Sequence, residues 1–176
     1  MKPNEDALCR LFANMMRNSQ DFRAWVLSQT KFEGRSARLL AEEQASSRPK
    51  VNPENWWRHW WRKIPELDQE RESDIFFVFE DEVDGGRFAL HIENKQDAKF
   101  LPGQAEDYES RARWMMRMPR YLNYSDFQTM LIAPQSYRER NQQAAGRFHC
   151  FISYEDIGRF IPEFAPVAVA KRAPDE

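Results

Sequence analysis

The chain of 176 residues is long enough to bury the core of one domain, and at 41% apolar and 14% aromatic it is too hydrophobic for a disordered chain despite 31% charged residues. A net charge of −2 argues against a protein that coats nucleic acid by charge alone, although an active site built from carboxylates is itself acidic until a cation binds. No apolar run reaches the length of a bilayer span, the opening MKPNEDALCR lacks the apolar segment of a signal peptide, and two cysteines, Cys9 and Cys150, are too few for a disulfide framework or a cysteine zinc site; a cytoplasmic protein with two reduced thiols is expected. Arginine outnumbers lysine among the 26 basic residues, which suits phosphate contacts and an arginine-rich genome equally.

Residues 4 to 16 carry Leu8, Leu11, Phe12, Met15 and Met16 at helical spacing behind Asn4, a good N-cap residue. A second helix is predicted over 19 to 29, with Phe22, Trp25 and Val26 as its apolar face, and a third over 35 to 46. Pro49 and Pro53 then mark a connector. The segment NWWRHWWRKI fits a helix or an aromatic strand, and part of it is the candidate for the first strand of the core. Trp56, Trp57, Trp60 and Trp61, interleaved with Arg58, His59, Arg62 and Lys63, could stack on bases; burial of at least two is the expectation, because tryptophan is costly to expose.

From residue 74 the period changes to two. IFFVF over 75 to 79 and RFALHIENK over 87 to 95 are β-favouring, and the DEVDGG between them supplies a turn, so a β-hairpin is predicted with Glu80, Asp81, Glu82 and Asp84 as its solvated tip. A helix follows over 103 to 118, a buried strand over 127 to 133, a helix over 136 to 144, a strand over 148 to 154 and a short helix over 155 to 160. There is no internal repeat. This order implies an α/β fold with a mixed sheet flanked by helices. Residues 1 to 165 are expected to form one domain, with a helical N-terminal part over 1 to 50, a core over 51 to 165, and a loose tail over 166 to 176.

Alternation along 87 to 95 puts Phe88, Leu90, Ile92 and Asn94 on one face and Ala89, His91, Glu93 and Lys95 on the other. The hairpin brings Asp74, at the start of the first strand, toward Glu93 and Lys95 at the end of the second. An exposed ion pair would explain Glu93 and Lys95 alone. With Asp74 added, two carboxylates and the backbone carbonyl of Asn94 make a ligand set that suits Mg²⁺, with Mn²⁺ able to replace it. Gln104, Tyr108 and Arg111 form one helical stripe, and Arg113, Arg117 and Arg120 form another that should be solvated. His91 shares the face of Glu93, where packing is its expected role.

The segment SDIFFVFEDEVDGGRFALHIENKQDAKFLPGQAEDY, residues 73 to 108, resembles the PD-(D/E)XK nuclease superfamily, and in particular its bacterial, phage-defence-like members. Asp74 matches the motif aspartate, with Ser73 in place of the proline; Glu93-Asn94-Lys95 matches E-x-K; Gln104 and Tyr108 match the Gln-x3-Tyr helix. The likeness is close over 73 to 111 and looser across the last strand and the SYEDI helix. It implies a restriction-endonuclease-like αβββαβ core and Mg²⁺-dependent hydrolysis of phosphodiester bonds, with DNA preferred. Asp74 and Glu93 would hold the metal, Lys95 would activate the water, and Gln104 and Tyr108 would position the phosphate or Lys95. It also makes Glu5 a candidate beside the metal; a favourable place at the helix N-terminus accounts for Glu5 equally well. The alternative is a catalytically silent module of the same fold that binds nucleic acid or regulates, acting with a partner; the partners expected are nucleic acid, DNA first, and a second copy of the chain or a partner protein.

Overall fold

The structure is a computed structural model that describes residues 3–64 and 69–165, with the main chain alone for 61–64 and 69–71. The expectation of a loose tail over 166 to 176 lies outside the described residues, as do the side chains of Trp61, Arg62 and Lys63. Helix α1 spans Glu5–Asn18, and Asn4 caps it by accepting from the Ala7 amide at 2.8 Å. Leu8, Phe12 and Met16 are its fully buried stripe. Ser19 ends that helix and caps the next, α2 over Gln20–Ser28, through the Phe22 amide at 3.1 Å.

The predicted third helix is instead a strand and a shorter helix. Ala37–Leu39 forms β1 and Ala41–Ser46 forms α3. The cause is tertiary. Strand β4, Ile75–Asp81, offers a free edge, and β1 pairs with it antiparallel. Where β1 ends, the Leu40 amide donates to the Val78 carbonyl at 2.8 Å. Gln44 then replaces a strand with its side chain, accepting from the Val78 amide at 2.8 Å and donating to the Phe76 carbonyl at 3.0 Å. Satisfying those buried groups outweighs the weak helical preference of RSARLL.

NWWRHWWRKI does not supply the first strand of the main sheet. Its second half is β2, Trp60–Ile64, which pairs antiparallel with β3, Gln69–Ser73, in a separate two-stranded sheet. Trp56, Trp57 and Trp60 are buried, Trp56 and Trp60 tilted against Phe77 and Phe76.

The hairpin forms with β5 over Arg87–Asn94 as the partner of β4. Its tip is less solvated than expected. Asp81 is buried and caps the turn through the Val83 amide at 2.8 Å, Glu80 pairs with Arg87 at 2.9 Å, and Gly85 takes the left-handed φ of 73° that the turn requires. Helix α4, Gln104–Met115, carries the chain to β6, Asp126–Ala133, which runs parallel to β5. Because α4 ends at Met115, Arg117 and Arg120 lie beyond it, and the second arginine stripe does not exist. The helix expected over 136 to 144 is two pieces, α5 (Gln135–Arg140) and α6 (Gln142–Ala145); Asn141 breaks it, its side chain donating to the Tyr137 carbonyl at 2.9 Å. Strand β7, Cys150–Ser153, pairs parallel with β6, and α7, Tyr154–Ile157, follows.

The main sheet therefore has the order β1-β4-β5-β6-β7, mixed in direction. One face packs Phe77, Leu90 and Ile92 against α1 and α2; the other packs Phe76, Val78 and Ala89 against Ala112 and Met115 of α4. It is an α/β fold with helices on both faces. Among the described residues no helix is long and apolar enough to cross a membrane.

Candidate active site

The site lies where β4 begins and β5 ends. Ile75 pairs with Ile92, so the register carried one step further sets Asp74 opposite Glu93. An Asp74 carboxylate oxygen, Oδ2, accepts from the Asn94 amide at 2.8 Å, which prolongs the ladder with a side chain. In an extended strand the amide and carbonyl of one residue point the same way, so the Asn94 carbonyl is directed toward Asp74 as well. The Lys95 amide points the other way and donates to Ile132 of β6 at 3.0 Å.

Glu93 is 1% exposed and Lys95 7% exposed, and they pair at 2.9 Å between Nζ and Oε1. Helix α4 completes the contacts. Gln104 Nε2 donates to Glu93 Oε1 at 2.9 Å while its Oε1 accepts from Lys95 Nζ at 3.3 Å and from the Leu101 amide at 3.0 Å. The Tyr108 hydroxyl donates to Glu93 Oε2 and accepts from the Asp74 amide at 3.3 Å. Burial, with the Glu93 charge beside it, pushes the Tyr108 phenol well above its ordinary pKa, so it remains a donor. The stripe of Gln104 and Tyr108 thus faces Glu93 and Lys95.

Arg111, third in that stripe, is fully buried, with its guanidinium 4.4 Å from the centre of the Tyr108 ring. It begins a polar chain on the sheet side of α4. Arg111 Nη2 donates to Ser73 Oγ at 3.3 Å, and Ser73 Oγ lies 2.9 Å from His91 Nδ1. His91 Nε2 lies 3.1 Å from the Tyr124 hydroxyl, which donates onward to the Ala112 carbonyl. With Tyr124 donating away, Nε2 carries the proton and Nδ1 accepts from Ser73. Burial, then the nearby Arg111 charge, lowers the His91 pKa well below its ordinary value and keeps the ring neutral. His91 is a buried strut and does not line the site. Ser73 is part of that strut.

Glu5 stands at the rim, its Oε1 accepting from the Gln96 amide at 2.7 Å. Asn94, on the apolar face of β5, sends its side chain into α1: Nδ2 donates to the Glu5 carbonyl at 3.0 Å and to Cys9 Sγ at 3.2 Å, and Oδ1 accepts from the Tyr154 hydroxyl. Sequence reasoning used Asn94 only for its carbonyl, read Cys9 only as a reduced thiol, and missed Gln96 and Tyr154 altogether. The signal was present: an asparagine two residues after Ile92 on a buried face must find partners. Burial, then Asp74, raises the Cys9 thiol well above its ordinary pKa, so it is a packed thiol and not a nucleophile.

Asp74 is the tense member of the group. Burial and then the Glu93 charge push its carboxyl well above the usual range, against the pull of the Asn94 amide and Lys95. A bound dication would relieve both causes, and the oxygen donors offered suit a hard cation. Among the described residues no group of three or more His, Cys, Asp or Glu side chains is placed to hold a metal, so a cation here would have two carboxylates and one main-chain carbonyl from the protein, with water for the rest. Mg²⁺ tolerates so few protein ligands, and the residues fit it on those terms. Asp74 also borders a cleft of about 230 Å³ with Glu5, Asp6, Cys9, Trp57, Arg58, His59 and Glu72. In comparisons with family models, curated proteins and solved structures, nothing matches the chain.

Proposed function

We propose that the chain is a metal-dependent nuclease of the PD-(D/E)XK type that hydrolyses phosphodiester bonds, with DNA as its substrate class. The observation that carries this reading is the meeting of Asp74 and Glu93 from neighbouring antiparallel strands with Lys95 at 2.9 Å from Glu93. The order α1, antiparallel β1-β4-β5, α4, parallel β6 is consistent with an αβββαβ core. Asp74, Glu93 and the Asn94 carbonyl would hold Mg²⁺, or Mn²⁺ in its place, with Glu5 at the rim. When bound, such a cation polarises a phosphoryl oxygen and acidifies its water. Lys95 orients the attacking water and carries positive charge against the phosphate as negative charge builds on it. Gln104 fixes the spacing of Lys95 and Glu93, and Tyr108 holds Glu93 in place; both are positioning residues.

One observation favours the second reading, a silent module that binds nucleic acid or regulates a partner. Both oxygens of the nearly inaccessible Glu93 already carry donors, from Tyr108, Gln104 and Lys95, so the site is closed around that carboxylate. Thermal denaturation separates metal binding from its absence. At a hundred times its Kd, Mn²⁺ should stabilise the protein by about 2.7 kcal/mol. Alanine at both Asp74 and Glu93 should abolish the shift, and an unchanged shift in that double variant would reject this ligand set.

A further inference from the structure

The residues assigned above use one flank of Asp74; the other flank opens on the cleft, and neither Glu93 nor Lys95 lines it. His59 does. Its Nδ1 lies 3.1 Å from Glu72 Oε2, so Nδ1–H donates to the carboxylate and Nε2 lies on the far edge of the ring, without a partner among the described residues. The other charged groups on the cleft are Glu5, Asp6, Asp74 and Arg58, and Arg58 is paired with Asp6 at 2.5 Å. Trp57 lines the same cleft, and its buried indole N–H has no acceptor among the described residues.

The backbone at His59 is held in an unusual state. Its φ is 57°, in the left-handed region that residues with side chains rarely adopt. Arg48 braces it: Nη1 donates to the His59 carbonyl at 3.2 Å, Nη2 to the Asn55 and Trp56 carbonyls at 3.1 and 3.2 Å, and the guanidinium stacks 3.8 Å from the centre of the Trp60 ring. A strained turn this firmly supported, which sets an imidazole nitrogen without a partner among the described residues in the same cleft as Asp74, is the kind that persists for function.

We propose that His59, oriented by Glu72 through Nδ1–H and carrying a second proton on Nε2 as the imidazolium, is the general acid that protonates the leaving oxygen. This inference rests on the nuclease reading. In the step, water oxygen bonds to phosphorus on the Lys95 flank and releases one proton to solvent. The bond from phosphorus to the leaving oxygen breaks, its electron pair stays on that oxygen, and the oxygen takes the proton from His59 Nε2. The imidazole regains a proton from solvent. Asp74 is shared by both flanks, so a cation held there would place the phosphate between the water and the acid, as in-line displacement requires.

The test compares a DNA oligonucleotide with its analogue carrying a bridging sulfur at the leaving position, prepared as both the 3′-S and 5′-S linkage, with Mn²⁺. A thiolate leaves without a proton. His59→Ala and His59→Gln should slow cleavage of the oxygen substrate by about 100-fold or more and leave the sulfur substrate within about threefold of wild type. An equal loss on both substrates would make His59 structural and overturn the proposal, as would no loss on either. Wild-type protein that cleaves neither would overturn the nuclease reading and this inference with it.

Discussion

Replacing Asp74 by asparagine should make the metal-free protein more stable while removing its response to divalent ions. The amide oxygen of Asn can still accept from the Asn94 amide, so the 2.8 Å bond survives the change. What disappears is a half-buried negative charge facing Glu93. Two like charges on facing residues of neighbouring strands, whose Cβ atoms lie about 5 Å apart, repel by about 3 kcal/mol at an effective dielectric of about 20. Lys95 and the Asn94 amide offset part of that, leaving a gain of about 1–2 kcal/mol, in the range of relief seen when strained functional groups are removed. With an unfolding entropy of about 2.1 cal/mol/K per residue over 176 residues, this corresponds to a rise in Tm of about 3–5 °C. Differential scanning calorimetry in EDTA and in Mn²⁺ reads both effects. A lower Tm in EDTA would mean that the Asp74 charge is compensated in the apo protein, and the argument that the site is poised for a cation would fail.

The same group sets a pH dependence. Its folded pKa lies above the unfolded value, so the folded state binds the proton more tightly, and stability is lost as pH rises between the two values. The advantage of Asp74→Asn should therefore be full above the raised pKa and vanish toward pH ~4, the ordinary aspartate value; a constant difference across that window would contradict the assignment. Tyr108→Phe removes a buried donor to a carboxylate and the acceptor of the Asp74 amide, and should cost about 1.5–3 kcal/mol in urea denaturation. A change below about 0.5 kcal/mol would show that Tyr108 does not hold Glu93.

The hairpin with Asp74 and Glu93 was legible because period-two alternation and the Asp-Gly-Gly turn are local signals, and the orientation of Gln104 and Tyr108 followed from their four-residue spacing. Strand β1 was not legible. Three residues inside RSARLLAEEQ become a strand only because β4 presents an edge, and Gln44 looks like one more helix-surface residue until its amide is seen bonding that edge. The β2–β3 pair was missed for a similar reason: its strands read as an aromatic and a charged segment with no shared pattern. His59 and Glu72 are 13 positions apart in sequence and meet only through that pairing. Asn94 shows the opposite case, a buried polar residue whose partners in α1 and α7 no local pattern names.

Lys95 separates an enzyme from a binding module most directly. An ammonium placed only for its charge against Glu93 could be replaced in part by arginine, whereas one that handles the attacking water could not. Wild-type protein, Lys95→Ala and Lys95→Arg should be offered single- and double-stranded DNA and RNA with Mg²⁺ or Mn²⁺. The account predicts cleavage of DNA by the wild type and its near loss in both variants, each of which still shows the metal-induced rise in Tm. Wild-type protein that binds metal and cleaves none of the substrates, or a Lys95→Ala variant that cleaves as well as wild type, would contradict it.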